Sequence, residues 1–234
     1  MTVNKRMSPC QIDITYKVIR QNRKTVSLHI DKALQVIVKA PRSMSDYQVQ
    51  AFVQKHTLWI QDTLDKKTRL KEQNDWFITK RILYLGDYKT IDIQIVPYAK
   101  ELVILTEEGI KMITSGEEVK MRKAIELFFK ERAKKLFSEL TERYAESLGV
   151  NYNKITIRKQ ETRWGSCSQN GNLSYNVKLM CAPIEMIEYV ILHEVMHLRH
   201  FNHSKEFWQD IERIMPDYKR RMHYFNQFGQ NFII

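Results

Sequence analysis

Between Val119 and Leu148 the residues Val119, Ile125, Phe128, Phe129, Leu136, Phe137, Leu140, Tyr144 and Leu148 recur at helical spacing, with no glycine or proline between them. Ser115 and Glu118 stand ahead of this run at capping-box spacing, and Gly149 is a natural C-terminal stop. The pattern predicts one helix of about 30 residues, roughly 45 Å long at 1.5 Å per residue. Its length and aromatic content suit a helix that backs a core better than a coiled-coil strand.

The chain ahead of that helix has a different period. Ile12, Ile14, Tyr16 and Val18 alternate with mostly polar residues, as do Val26, Leu28 and Ile30, and then Leu34, Val36 and Val38. Alternation of this kind predicts half-buried strands. A helix follows, with Ser45 and Gln48 as a capping box and Val49, Phe52, Val53, His56, Ile60 and Leu64 at helical spacing. The charged stretch DKKTRLKEQND leads to further strands, with Gly86-Asp87 and Glu108-Gly109 as candidate turns. After the long helix, 154–160 and 172–180 read as strands around the loop RWGSCSQNGN. A helix follows Pro183, and a last one runs from about Ser204 to Pro216. The expected fold is α+β: a β-rich N-terminal domain over 1–114, then a unit over 115–234 with the backing helix, a short sheet and a histidine-bearing helix.

Hydrophobic residues make up 43% of the 234, enough for a proper core, and no apolar run reaches 18 residues, so no membrane span is expected. The N-terminus has no apolar block of the secretory kind. Cys10, Cys167 and Cys181 are odd in number and lack C-x-x-C spacing, which argues against a disulfide framework and fits the cytoplasm. The net charge of +11, with basic clusters at 17–24, 130–135 and 219–221, predicts weak association with polyanions such as nucleic acid. Solvated faces account for such clusters equally simply.

The stretch ILHEVMHLRHFNH, residues 191–203, holds four of the seven histidines. His193 and His197 are four apart, so on a helix they share a face and can chelate one cation. Zinc accepts such nitrogens at about 2.0–2.1 Å. Glu194 is turned from them by about 100°, within reach of a water at the metal without ligating it. The helix is otherwise apolar, and burying these groups without a partner is costly; a cation is that partner. His200 lies on the same face but too far along a straight helix. A third ligand needs chain that turns back, which Asn202 favours and His203 can supply. Glu206 or Glu212 from the following helix is the alternative.

TRWGSCSQNGNLSYNVKLMCAP, followed by EYVILHEVMHLRHFNHSKEFW, resembles the YgjP-like metallopeptidase family. H-E-x-x-H, N-H-S-x-x-F-W and R-W-G-S-C are intact, most strongly over 158–216, and Trp59-Ile60 and Tyr84-Leu85-Gly86 extend the likeness weakly. The resemblance implies a zincin-type fold, one Zn2+ held by His193, His197 and His203, Glu194 as catalytic base, and peptide or protein substrates. It is also similar in plan to SprT-like proteases, which act near DNA.

The expected reaction is hydrolysis of a peptide bond, with Glu194 moving the proton from water to the leaving amine. Arg163, Tyr175, His223 and Tyr224 are candidate oxyanion donors, Arg163 and Tyr224 foremost. The strand from Asn172 to Lys178 is expected to line the substrate groove, with Tyr175 and Asn176 touching substrate. Two rival functions remain: a metal-dependent phosphohydrolase acting on nucleotides, and a basic nucleic-acid-associated module with structural zinc.

Overall fold

The computed structural model describes residues 14–31, 33–229 and 232–234, and divides into two compact units, Met1–Glu72 and Gln73–Ile234. The first contains β1 (Tyr16–Gln21), β2 (Ser27–Ile30), β3 (Val36–Pro41), α1 (Asp46–Lys55) and most of α2 (Thr57–Asn74). The strand order is β1-β3-β2, with β1 parallel and β2 antiparallel to β3. Alternation buries Val36, Val38 and Ala40 of β3 against Val49, Val53 and Ile60 of the helices. The Ser45/Gln48 capping box forms as expected. The single helix expected from Val49 to Leu64 is broken at His56, and α2 runs on through the charged stretch that reads as a linker. Ile12 lies outside the described residues.

The second unit holds α3 (Trp76–Thr79), β4 (Arg81–Tyr84), β5 (Asp87–Ile95), β6 (Leu102–Leu105) and β7 (Gly109–Thr114), ordered β4-β5-β7-β6. Then come α4 (Glu118–Leu148), β8 (Lys154–Arg158), β9 (Gly165–Cys167), β10 (Asn172–Asn176), a 3-10 turn (Val177–Cys181), α5 (Ile184–Met196), α6 (Lys205–Ile214) and α7 (Tyr218–Phe228).

The unit boundary falls at 72/73 and not at the expected 114/115. The reason is packing. Ile82, Tyr84, Ile91, Ile110 and Met112 of the four-stranded sheet share one core with Met121, Ile125, Phe128 and Phe129 of α4. The ring of Tyr84 meets that of Phe129 edge-on at 5.8 Å.

The long helix spans 31 residues and ends at Gly149 in the left-handed conformation, as its sequence predicts. Its expected N-terminal box does not form. Glu117 is the N-cap, and the Ser115 hydroxyl instead donates to Glu101 at 3.0 Å. The helix backs α5 with a stripe that includes Phe129, Ala133, Phe137 and Leu140, all buried.

The start of α5 is clamped by the β4–β5 turn. Leu85 and Gly86 both have positive φ, the Leu85 N–H donates to the Met180 carbonyl at 2.7 Å, and the Gly86 N–H to that of Cys181 at 3.2 Å. A Cβ on Gly86 would lie 2.8 Å from Pro183 Cγ, so only glycine fits against this N-cap. The turn is Leu85-Gly86, one residue earlier than the candidate pair.

β10 is the central strand of its sheet, parallel to β8 and antiparallel to β9. Both its edges are occupied, which corrects the expectation that 172–178 offers a free edge to substrate. The outer strands are β8 and β9, and β9, the one whose residues border the site, lies inside a segment that reads from sequence as loop.

Candidate metal centre

α5 ends at Met196, and His197 is its C-cap. The chain turns at once. Arg199 and His200 donate their N–H groups to the Met196 carbonyl at 3.0 and 2.9 Å, and Ser204 then caps α6 by accepting from the Phe207 N–H. This tight return brings His203 back to the helix. The candidate ligand atoms of His193, His197 and His203 all lie within 4.8 Å of one another, the only such metal-type cluster among the described residues.

The motif N-H-S-x-x-F-W is a support for the three rings. Phe207 is fully buried, with its ring 5.1, 4.8 and 4.9 Å from those of His193, His197 and His203. Trp208 stacks on His203 at 5.5 Å on one side and on Tyr218 at 5.3 Å on the other. A packed floor of this kind limits the rotamers open to each imidazole.

Hydrogen bonds fix the tautomer where they reach. His197 Nδ1 lies 3.0 Å from the His200 carbonyl, so that nitrogen is the donor and Nε2 is left to ligate. His200 Nε2 pairs with Asp210 at 2.8 Å. His200 therefore contributes its backbone carbonyl to the cluster, and its ring lies outside it.

The donor set fits a divalent cation. Burial, with His197 and His203 beside it, lowers the His193 pKa to about 3, and burial also lowers that of His203. Neutral imidazole is the form that ligates. His193 Nε2 and His203 Nε2 face each other at 3.0 Å, two nitrogens converging on one point. Three imidazoles in this arrangement match the protein ligands of a catalytic zinc site. Glu206 and Glu212 are exposed and stand outside the cluster.

Glu194 is 7% exposed, and burial raises its carboxyl to a pKa of about 8 against the opposing pull of Arg163. Gly165 of β9 packs against its side chain. A Cβ on Gly165 would stand 2.5 Å from Glu194 Cγ and 2.6 Å from Oε1. The glycine of R-W-G-S-C is thus the space in which the carboxylate rests.

Two cavities open on this centre. One, of about 380 Å3, is lined by Arg163, Ser166, Cys167, Gln169 and Phe201 together with the three histidines and Glu194. The other, of about 270 Å3, is walled by Trp164, Tyr189, Val190, Met222, Phe225 and Asn226, again with His193 and Glu194. Gly165 and Arg163 border both.

Of the four oxyanion candidates expected from sequence, Arg163 alone borders these cavities. Tyr224 packs against Phe228 at 4.9 Å and Phe232 at 6.3 Å and lines neither cavity. His223 is exposed and also lines neither. Tyr175 is fully buried, its hydroxyl 3.0 Å from Thr141 and its ring against Phe137, so it is a core residue and not a substrate contact. Asn176 is likewise buried. Its Nδ2 donates to the carbonyls of Gln160 and Arg163 at 2.8 and 2.9 Å, and its own N–H donates to Trp164. It braces the segment that carries Arg163 in place of touching substrate.

Sequence reasoning misses Gly165, Tyr189, Met222 and Asn226. Tyr189 carries a signal, since it lies one turn before His193 on the same face. Met222 and Asn226 carry none, because α7 follows Pro216 and its KRR run reads as solvated charge. Arg220 and Arg221 in fact pair with Asp217. Cys167 borders the larger cavity, and burial, with Glu194 nearby, raises its thiol to about 11, so it stays protonated at neutral pH. Cys167 and Cys181 are free thiols.

A family model described as YgjP-like, metallopeptidase domain, matches residues 24–228. Among solved structures, the chain is similar to the metallopeptidase zymogen of Pyrococcus abyssi abylysin. Identity is 21%, coverage is 42% of this chain and 99% of that one, and the TM-score is 0.37. It is also similar to the metallopeptidase zymogen of Methanocaldococcus jannaschii jannalysin, at 20% identity, 39% and 88% coverage, and a TM-score of 0.36. No curated protein matches. No helix among the described residues is long and apolar enough to cross a membrane.

Proposed function

The chain belongs to the YgjP-like metallopeptidase family, and from that premise we propose that it is a zinc peptidase in which Glu194 is the general base. The observation that carries this reading is the buried carboxyl group of Glu194 seated against Gly165 beside the three converging imidazoles, where the charge of a bound cation would favour the ionised form that a base needs.

His193, His197 and His203 hold the cation, with the His200 carbonyl fixing the ring of His197. When bound, zinc supplies Lewis acidity, polarising a substrate carbonyl and making water a better nucleophile near neutral pH. Glu194 accepts the proton of the attacking water and delivers it to the departing amine. Arg163, at the border of both cavities, supplies positive charge to the oxygen that becomes negative. The substrate backbone extends along the outer edge of β9, where main-chain hydrogen bonds fix its register across Glu194.

Glu194→Gln keeps the side-chain volume and removes the base. Peptide hydrolysis is expected to fall by at least 10²-fold, the low end of general-base contributions, while one zinc per chain is retained by atomic absorption. Peptide cleavage that persists at wild-type rate in this variant refutes the mechanism. Nucleoside triphosphates assayed side by side decide against the phosphohydrolase reading if they are not hydrolysed. Most of the net charge behind the expected polyanion affinity lies in the first unit, where Lys and Arg outnumber Asp and Glu by 14 to 6 through Glu72.

A further inference from the structure

The two cavities beside Glu194 differ in chemistry. The larger is bordered by Arg163, Ser166, Gln169 and the metal-binding histidines. The smaller is bordered chiefly by Trp164, Tyr189, Val190, Met222 and Phe225. Both share Arg163, Gly165, His193 and Glu194; Ser166 and Cys167 of β9 border the first alone, and Trp164, just ahead of β9, the second alone.

The apolar cavity is a built feature. Tyr189, Val190 and His193 are spaced i, i+1, i+4, so α5 turns one face into it; Met222, Phe225 and Asn226 are i, i+3, i+4 on α7 and form the facing wall. Trp164 closes the end. Its ring is wedged between Phe225 at 5.1 Å and Phe232 at 5.6 Å, and a Cβ on Gly229 would stand 2.5 Å from its Cζ2. Glycine at 229 is therefore what admits the indole. Met222, 41% exposed, is the adaptable element at the rim. At about 270 Å3 the cavity is smaller than the roughly 300–1,000 Å3 that holds a drug-sized ligand. It suits a single side chain.

We propose that this cavity is the specificity pocket of the peptidase and takes one large apolar side chain, of the leucine, methionine or phenylalanine class, from the residue flanking the scissile bond. The inference rests on the peptidase reading and adds to it the class of sequence cut. A peptide extended along β9 with its scissile carbonyl at Glu194 has one flanking side chain on each side of the cut. One enters the polar cavity and the other the apolar one. A charged side chain in the second is disfavoured because the wall of Trp164, Tyr189, Val190, Met222 and Phe225 strips its water, while the charged groups on the same lining, Arg163 and Glu194, are committed to the reaction.

The test uses the full chain with zinc and a mixed peptide library, with cut sites read by mass spectrometry. Leucine, methionine or phenylalanine is expected to be enriched at one position flanking the cut. The matched pair of peptides carrying leucine or glutamate there is then compared in wild type and Met222→Lys, a change the exposed rim position tolerates. The leucine-to-glutamate ratio of kcat/KM is expected to fall at least tenfold. Cleavage that Glu194→Gln abolishes but that has no apolar bias overturns the pocket and leaves the peptidase reading standing, as does a bias that Met222→Lys leaves intact. If no library peptide is cut, the peptidase reading fails. The pocket is then decided by acetyl-leucine amide, read through tryptophan emission because Trp164 forms a wall. Binding weakened in Met222→Lys upholds the pocket, and no response overturns it.

Discussion

At the scale of single residues, the catalytic geometry depends on an atom that is missing. Gly165 has no side chain, and Glu194 occupies the space that one would take. Gly165 has no positive φ to account for its identity, so the backbone there tolerates alanine and the constraint is purely steric. Gly165→Ala must push the carboxyl group off its seat by about an ångström, because the new Cβ would stand 2.5 Å from the Cγ stem as well as 2.6 Å from Oε1, so the whole side chain has to move. Displacements of that size cost on the order of 10² in rate. The expected result is a loss of kcat/KM of that order, with zinc content and thermal stability near wild type, since the histidines are untouched. Rate and metal lost together would mean that Gly165 supports the histidine helix and not Glu194.

At the scale of elements, the site is held at both ends of α5. The far end is the turn that returns His203, and the near end is the Leu85-Gly86 clamp on Met180, Cys181 and Pro183. Gly86→Ala meets two penalties, a left-handed φ of +91 and a Cβ 2.8 Å from Pro183 Cγ. Together these cost about 1–3 kcal/mol, which lowers the melting temperature by several degrees. A melting temperature that stays within a degree of wild type overturns the clamp. The helix and the convergence of His193 with His197 are legible in the sequence because i, i+4 spacing on one helix face is a local fact. So is the long helix, which about 30 uninterrupted residues specify without help from the fold. The groove is not legible. Whether a strand is central or at an edge depends on pairing between distant segments, and the short strand β10 looks the same in either place. β9 is only three residues long, too short for alternation to register, and it contains the glycine that reads as a turn. For the same reason sequence alone puts Tyr175 and Asn176 in the groove, whereas their hydrogen bonds lie within the core.

At the scale of the whole molecule, the two units have separate cores, and the metal belongs to one of them. Tyr16, Val38 and Ile60 anchor the first; Phe129, Phe137 and Ile191 are among the anchors of the second. A ligand that binds only the folded state stabilises it by RT ln(1 + [L]/Kd), about 2.7 kcal/mol at a hundredfold excess over Kd. On the proposed ligand set, zinc would join His193 and His197, at the end of α5, to His203 across the return turn, so that gain would fall wholly on unfolding of Gln73–Ile234. For a domain of this size it corresponds to a rise of about 5–11 °C. Calorimetry of the full chain is expected to give two transitions, of which zinc raises only the larger and EDTA returns it. Glu194→Gln is expected to keep the shift, because the proposed role of the glutamate is that of a base and not a ligand. His203→Ala loses it, because two imidazoles from one helix tie nothing together. A His200→Ala variant separates ligand from bystander, since the backbone carbonyl that orients His197 survives the substitution, and its zinc-dependent rise should remain. The ligand assignment fails if His200→Ala abolishes the rise while His203→Ala preserves it.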